Sequence, residues 1–221
     1  MLPTDRHGEK RRGLLIALEG IDGTGKSTQL QLLAEALRAM GHAVTVTREP
    51  TDGPHGRRLR ELFSRRHTIS PGAELELFQA DRRQHVAQVI EPALKRGDIV
   101  VTDRYFLSTA AYQGTHGPAA EEILQANEAF APRPDLALVL VLDPGRAIHR
   151  IRTLRNQELN DFEQEAGLRR VAAIFAGLDR DYIRRVDGAG PVAEVHRQIM
   201  ARVEGLVRDR GPGTGRRGLN S

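Results

Sequence analysis

The chain contains no cysteine and only three lysines, Lys10, Lys26 and Lys95. Without thiols it has no disulfides and no thiolate metal sites. The first dozen residues are polar and basic (Arg6, Lys10, Arg11, Arg12) and lack the apolar core of a secretory signal. No apolar run approaches bilayer-spanning length, so the cytoplasm is the expected location. No internal repeat or interdomain linker interrupts the chain. With so little lysine, the positive charge is almost all arginine, whose planar fork suits phosphate better than a point charge does. The formal net charge is +4, from 33 basic and 29 acidic side chains. The acidic residues are interspersed, so this excess does not argue for a nucleic-acid partner. At 221 residues, 39% hydrophobic and 28% charged, the chain fits one soluble domain with a full-sized core.

Its most informative stretch is Gly20-Ile21-Asp22-Gly23-Thr24-Gly25-Lys26-Ser27-Thr28. It contains G-x-x-x-x-G-K-S, preceded by the short apolar run 14–18 and followed by Leu30, Leu33, Ala34 and Leu37 at helical spacing. The loop therefore joins a strand to a helix. Its glycines let successive N–H groups turn inward onto phosphate oxygens, and the helix adds the positive end of its dipole. In that arrangement Lys26 reaches the terminal phosphates and the Ser27 hydroxyl sits on Mg²⁺. A ligand-free glycine turn would leave Lys-Ser at the helix start unexplained.

The rest alternates strand and helix signals. Strands are expected at 43–47, 99–102, 136–142 and 183–187. Helices are expected at 57–63, from Pro71 to about Leu94, at 107–113 and 118–130, from Pro144, up to about Tyr182, and at 192–207. Residues 1–12 read as a disordered lead and 209–221 as a flexible tail, leaving a single domain over 13–208. Continuous apolar strands separated by helices predict a five-stranded parallel sheet covered on both faces, the three-layer sandwich of the P-loop NTPases.

Ligands of such sheets bind beyond the carboxyl ends of the strands. Besides the phosphate loop, those ends carry Arg48-Glu49-Pro50, Asp103-Arg104-Tyr105 and Asp143-Pro144. Asp103 after an apolar strand suits support of the same Mg²⁺, and equally suits capping of the next helix. Arg48 and Arg104, converging on one crevice, imply a second anionic ligand; either alone reads as a surface ion pair. Phe78 and Arg82 stand one helical turn apart. That pair can stack on a base and bond its edge, or be a core ring with a snorkelling arginine.

The segments 19–29, 47–50 and 77–85, Asp103-Arg104-Tyr105, 107–114 and Pro134-Asp135-Leu136 together resemble the thymidylate kinase family, in order and spacing, over roughly residues 13–207. The resemblance implies transfer of a phosphoryl group from ATP to dTMP with Mg²⁺ held by Ser27 and Asp103. It implies that Phe78 stacks on thymine, Arg82 bonds its carbonyl edge, Thr109 and Gln113 read the base and Tyr112 lines the sugar. It also implies that Asp22 takes the 3′-hydroxyl and that Arg48 and Arg104 clamp the acceptor phosphate. The partners are then ATP, dTMP and, by the same resemblance, a second copy of the chain in a homodimer.

An acceptor that is already an oxyanion needs no strong base, so catalysis becomes positioning and charge neutralisation. Gly23 stands where some relatives carry arginine, so the cation over the transferring group is expected from a lid at about 150–163. Arg150, Arg152 and Arg155 are the candidates, although a solvated arginine face reads the same way. Two segments depart from the family pattern. Glu158-Leu159-Asn160-Asp161 puts an acidic residue where arginine is usual, and Thr51-Asp52-Gly53-Pro54 replaces a Gly-Gly-Thr run. Two alternatives remain at this level: a kinase of the same fold for another nucleoside monophosphate or deoxynucleoside, and a nucleotide-binding regulatory module with reduced turnover.

Overall fold

A computed structural model of the protein describes residues 12–63, 69–155 and 161–208. The expected lead (apart from Arg12), the tail and the centre of the expected lid lie outside the described residues. Strands β1 (Leu14–Glu19), β2 (Val44–Arg48), β3 (Ile99–Asp103), β4 (Leu136–Val141) and β5 (Ile183–Asp187) form one sheet. Every pairing is parallel and the order is β2-β3-β1-β4-β5. β1 is central, and all six of its residues are buried. Asp135, just before β4, reaches across to accept the Leu15 amide at 2.8 Å, which fixes how β1 enters the sheet.

Alternation along β1 divides the core in two. Leu14, Ile16 and Leu18 face helices α1 (Lys26–Ala39) and α9 (Val192–Val207), through Leu30, Leu33, Leu37, Val195, Ile199 and Val203. Leu15 and Ala17 face the opposite layer, with Ile90, Leu94, Phe106, Ala110 and Phe175. Helices α2 (Pro54–Phe63), α3 (Pro71–His85), α5 (Phe106–Gln113), α6 (Ala120–Glu128), α7 (Pro144–Arg155) and α8 (Asp161–Gly177) complete the described elements, together with α4 (Glu91–Arg96). No described helix is long and apolar enough to cross a membrane.

Two helix expectations need correction. The helix expected from Pro71 to about Leu94 changes geometry midway: α3 passes into one π-helical turn, Val86–Ile90, before α4. Pro92 lacks the N–H for a regular bond to Gln88, and its ring collides with that carbonyl; a wider turn relieves the clash. The helix expected to run to about Tyr182 ends at Gly177. There the Arg185 guanidinium donates to the carbonyls of Ala176 and Leu178, both at 2.8 Å, closing the helix end.

Candidate active site

The phosphate loop leaves β1 at Gly20 and enters α1 at Lys26. Gly20 and Gly23 have φ of +129° and +82°, and neither position has room for a side chain. A Cβ on Gly20 would lie 2.5 Å from the Leu140 carbonyl oxygen, and one on Gly23 would lie 2.4 Å from that of Ala147. The loop is thus pressed between β4 and α7. Within it, Thr24 Oγ1 and Lys26 Nζ both donate to the Ile21 carbonyl, at 3.0 and 2.9 Å. Burial, reinforced by the nearby Arg104 charge, brings the Lys26 ammonium down to about 8 despite opposing carboxylates. An anion at this loop would offset that penalty.

Ser27 Oγ donates to Asp103 Oδ2 at 2.6 Å. The other oxygen, Asp103 Oδ1, is buried and meets no hydrogen-bond partner among the described residues. A hydroxyl beside a carboxylate with a spare oxygen, at the start of the helix that follows the glycine loop, is a donor set that fits Mg²⁺. Asp103 does not cap α5 through its side chain, since the residue at that cap position is Tyr105.

Arg104 has φ of +69°, a conformation unfavourable for a side-chain-bearing residue. Three contacts hold it. Its N–H donates to Leu18 O at 2.9 Å, its carbonyl accepts from Thr102 Oγ1 at 2.8 Å, and the next amide, Tyr105 N, donates to Glu19 Oε1 at 3.0 Å. This backbone turns the guanidinium back over the phosphate loop. There it meets Asp22 Oδ1 at 2.9 Å, Ser108 Oγ at 3.0 Å and the Tyr112 ring, 5.1 Å to its centroid. Tyr112 Oη donates to the second Asp22 oxygen at 3.0 Å. Burial alone would raise the Asp22 carboxyl, but Arg104, with Lys26 and Tyr112, holds it at about 2. Glu19, fully buried, goes the other way: desolvation raises it to about 7 although Ser108 donates to it.

Beside Asp22 and Arg104 opens a cleft of about 390 Å³ between α3 and α5. Phe78 lines one wall, with Phe63 against it at 6.5 Å between ring centroids. Arg82 lies in the floor, 1% exposed, so it is no snorkelling side chain. Nε and Nη2 donate to Glu49 Oε2, Nη2 also to Thr109 Oγ1 at 2.8 Å, and Nη1 to Asn127 Oδ1 at 2.6 Å. His85 Nδ1 takes the other Glu49 oxygen at 2.9 Å. Burial opposes charge on Glu49, but Arg82 and His85 keep its carboxyl below the usual range. Gln113 Nε2 donates to Glu74 at 3.0 Å, and its Oε1 is buried without a partner among the described residues.

The structure thus gathers Asp22, Phe78, Arg82, Arg104, Thr109, Tyr112 and Gln113 around one cleft, with Lys26, Ser27, Thr28 and Asp103 around an adjoining one. Arg48 lies elsewhere. It borders a hollow shared with Ser27 and Asp103, and its exposed guanidinium is paired with Asp52 at 2.8 Å. Arg150 borders the phosphate-loop cleft, with Nη1 donating to Gly188 O at 3.0 Å. Arg152, half-buried and two residues further on, does not line that cleft. The side chains of Arg155 and Asp161, and all of Asn160, lie outside the described residues. Sequence reasoning did not pick out Glu19, Glu49, Phe63, His85, Ser108 or Asn127. Glu19 and Glu49 carried a signal, as acidic residues directly ending apolar strands; Asn127 carried none.

Comparison with known proteins points to one family. The family described as thymidylate kinase matches residues 18–199. A thymidylate kinase of Desulfotalea psychrophila is 47% identical over 196 residues, covering 89% of this chain and 96% of that protein. One from Xanthomonas oryzae pv. oryzae is 45% identical over 206 residues, covering 93% and 89%. Another, from Xanthomonas campestris pv. campestris, is 44% identical over 198 residues, covering 90% and 86%.

Proposed function

The chain belongs to the thymidylate kinase family, and on that premise we propose how its residues divide the work of the reaction. The activity is ATP-dependent phosphorylation of dTMP to dTDP. The phosphate-loop amides and Lys26 hold the ATP phosphates, and Asp22, Arg104 and Tyr112 hold the sugar and phosphate end of dTMP. Ser27 and Asp103 would hold Mg²⁺, which would supply positive charge to offset that of the phosphates. Lys26 and Arg104 draw the two substrates' phosphates into one field, and no residue need accept a strongly held proton.

One observation carries the choice of base. Of the five N–H donors of Arg82, four are committed to Glu49, Thr109 and Asn127, leaving one on Nη1. Gln113 presents an unpartnered acceptor, its orientation set by donation to Glu74. One donor and one acceptor match the imide edge of thymine, a carbonyl beside an N–H. Cytosine offers a ring acceptor and an amino donor in the wrong pairing, and strands the buried groups. Phe78 supplies the stacking surface.

Arg48 reaches the acceptor phosphate by exchanging Asp52 for it, and the segment around 150–163 acts as a lid with Arg150 as its cation. Resemblance to the family also supports a homodimer in the cytoplasm, which sedimentation would test. The central experiment is a coupled assay of ADP release with dTMP, dUMP, dCMP and dGMP. dTMP is expected to be best. dUMP, lacking only a methyl group, should be slower by roughly 10- to 200-fold in kcat/KM, and dCMP and dGMP slower still. Equal turnover of dCMP would overturn the reading of the base cleft.

A further inference from the structure

Asn127 stands on α6, outside every motif and outside the contacts expected from sequence. It is completely buried. An amide in a helix interior is a weak helix former, and burying it costs free energy unless both ends are bonded. Both ends are bonded here. Nδ2 donates to Ile123 O at 2.7 Å, one turn back, and this fixes the amide so that Oδ1 faces Arg82. Oδ1 then accepts from Arg82 Nη1 at 2.6 Å.

The far side of the guanidinium is already held. Glu49 Oε2 takes Nε and Nη2, and Thr109 takes the other Nη2 hydrogen. Those contacts come from β2's end and from α5, whereas the Nη1 contact comes from α6. Without Asn127, Nη1 keeps two uncommitted hydrogens and the guanidinium is held from one side only, by Glu49 and Thr109. With it, a single N–H remains, in a fixed direction, on a residue that lines the cleft floor.

We propose that Asn127 is a positioning residue for base recognition, holding Arg82 so that one N–H is presented to the nucleotide. This rests on the reading that the cleft takes the thymine of dTMP. Asn127 touches no substrate; it acts through Arg82.

Two substitutions separate this role from a purely structural one. Asn127→Leu removes both bonds of the side chain. Asn127→Asp keeps an acceptor for Arg82 but loses the donor to Ile123 O, so both variants weaken α6 locally. Steady-state kinetics with dTMP and ATP, and a thermal melt, are measured on both. The expected result is a KM for dTMP about tenfold higher in Asn127→Leu, the scale of one hydrogen bond, with the KM for ATP and kcat within about threefold of wild type. Asn127→Asp should return the KM for dTMP to within about threefold of wild type, while both variants melt earlier. A purely structural residue would raise the KM equally in both variants, and that outcome overturns the proposal. So does a wild-type KM for dTMP in folded Asn127→Leu. Failure of the underlying reading looks different: wild-type protein itself would then show no preference for dTMP over dCMP.

Discussion

Glu19 and Asp22 sit three residues apart, and their carboxyl groups are driven in opposite directions. Desolvation raises Glu19 from 4.5 to about 7, because its close contacts are the neutral Ser108 hydroxyl and Tyr105 amide. The Asp22 side chain is about half exposed, and a direct ion pair with Arg104 holds it at about 2. For Glu19 the linkage sign is clear: a raised folded value means the native state binds the extra proton. Its stability contribution is complete below 4.5 and is lost as pH rises towards 7. The difference amounts to about 3 kcal/mol. Glu19→Gln cannot titrate, so urea unfolding at pH 5 and pH 7.5 should show a smaller fall in stability for the variant than for wild type. Equal falls would mean that Glu19 ionises normally in the fold. Lys26 makes a simpler case, because among the described residues its ammonium hydrogen-bonds only to the Ile21 carbonyl. Lys26→Ala should lose roughly 10²–10³-fold in kcat, with a melt close to wild type. Retained turnover would remove the phosphate loop from the mechanism.

Elements place these residues through contacts of differing legibility. The phosphate loop, the five strands and the residues at the ends of β1, β2 and β3 were readable, since apolar runs and glycine spacing are local signals. The geometry change at Val86–Ile90 was not, because side-chain periodicity barely registers one extra residue in a helical turn. Nor was the end of α8, which Arg185 closes from β5. The side chains that line the clefts were legible by type, while Ser108 and Asn127 were not, because they act through contacts distant in sequence. The packing of the phosphate loop on α7 belongs to the same class. Gly23 needs φ of +82°, and a Cβ there would overlap backbone, not a movable side chain. Gly23→Ala must therefore shift α7 or the loop. It should raise the KM for ATP at least about tenfold and lower the melting temperature, with strain of order 1–3 kcal/mol. Unchanged ATP kinetics would show that α7 is free to move away from the loop. An arginine at position 23 would meet the same overlap on this backbone.

Across the whole molecule, the two clefts share Asp22 and Arg104 in their walls, and on the proposed reading the substrates meet at that pair. Lys26 approaches from α1 and Arg104 from the end of β3, leaving the α7 side to supply any further positive charge. Of the three arginines predicted there, Arg150 borders the cleft and Arg152 does not. In this structure Arg150 rests on the neutral carbonyls of Gly188 and Ala189, at 3.0 and 3.4 Å. Such contacts are weaker than a charge-assisted bond to phosphate, so the side chain can exchange them when charge develops on the transferring group. An interaction made chiefly in the transition state lowers kcat when removed and leaves KM nearly unchanged. Arg150→Ala should therefore reduce kcat by roughly 10²-fold, the scale of removing one transition-state donor. KM for ATP and dTMP should stay within about threefold, and Arg152→Ala should keep wild-type kcat within the same margin. The measurement is a full two-substrate kinetic matrix on both variants. If Arg150→Ala instead raises the KM for ATP at constant kcat, Arg150 binds ground-state nucleotide. If neither variant differs from wild type, the neutralising charge comes from Arg48, Arg104 or Arg155.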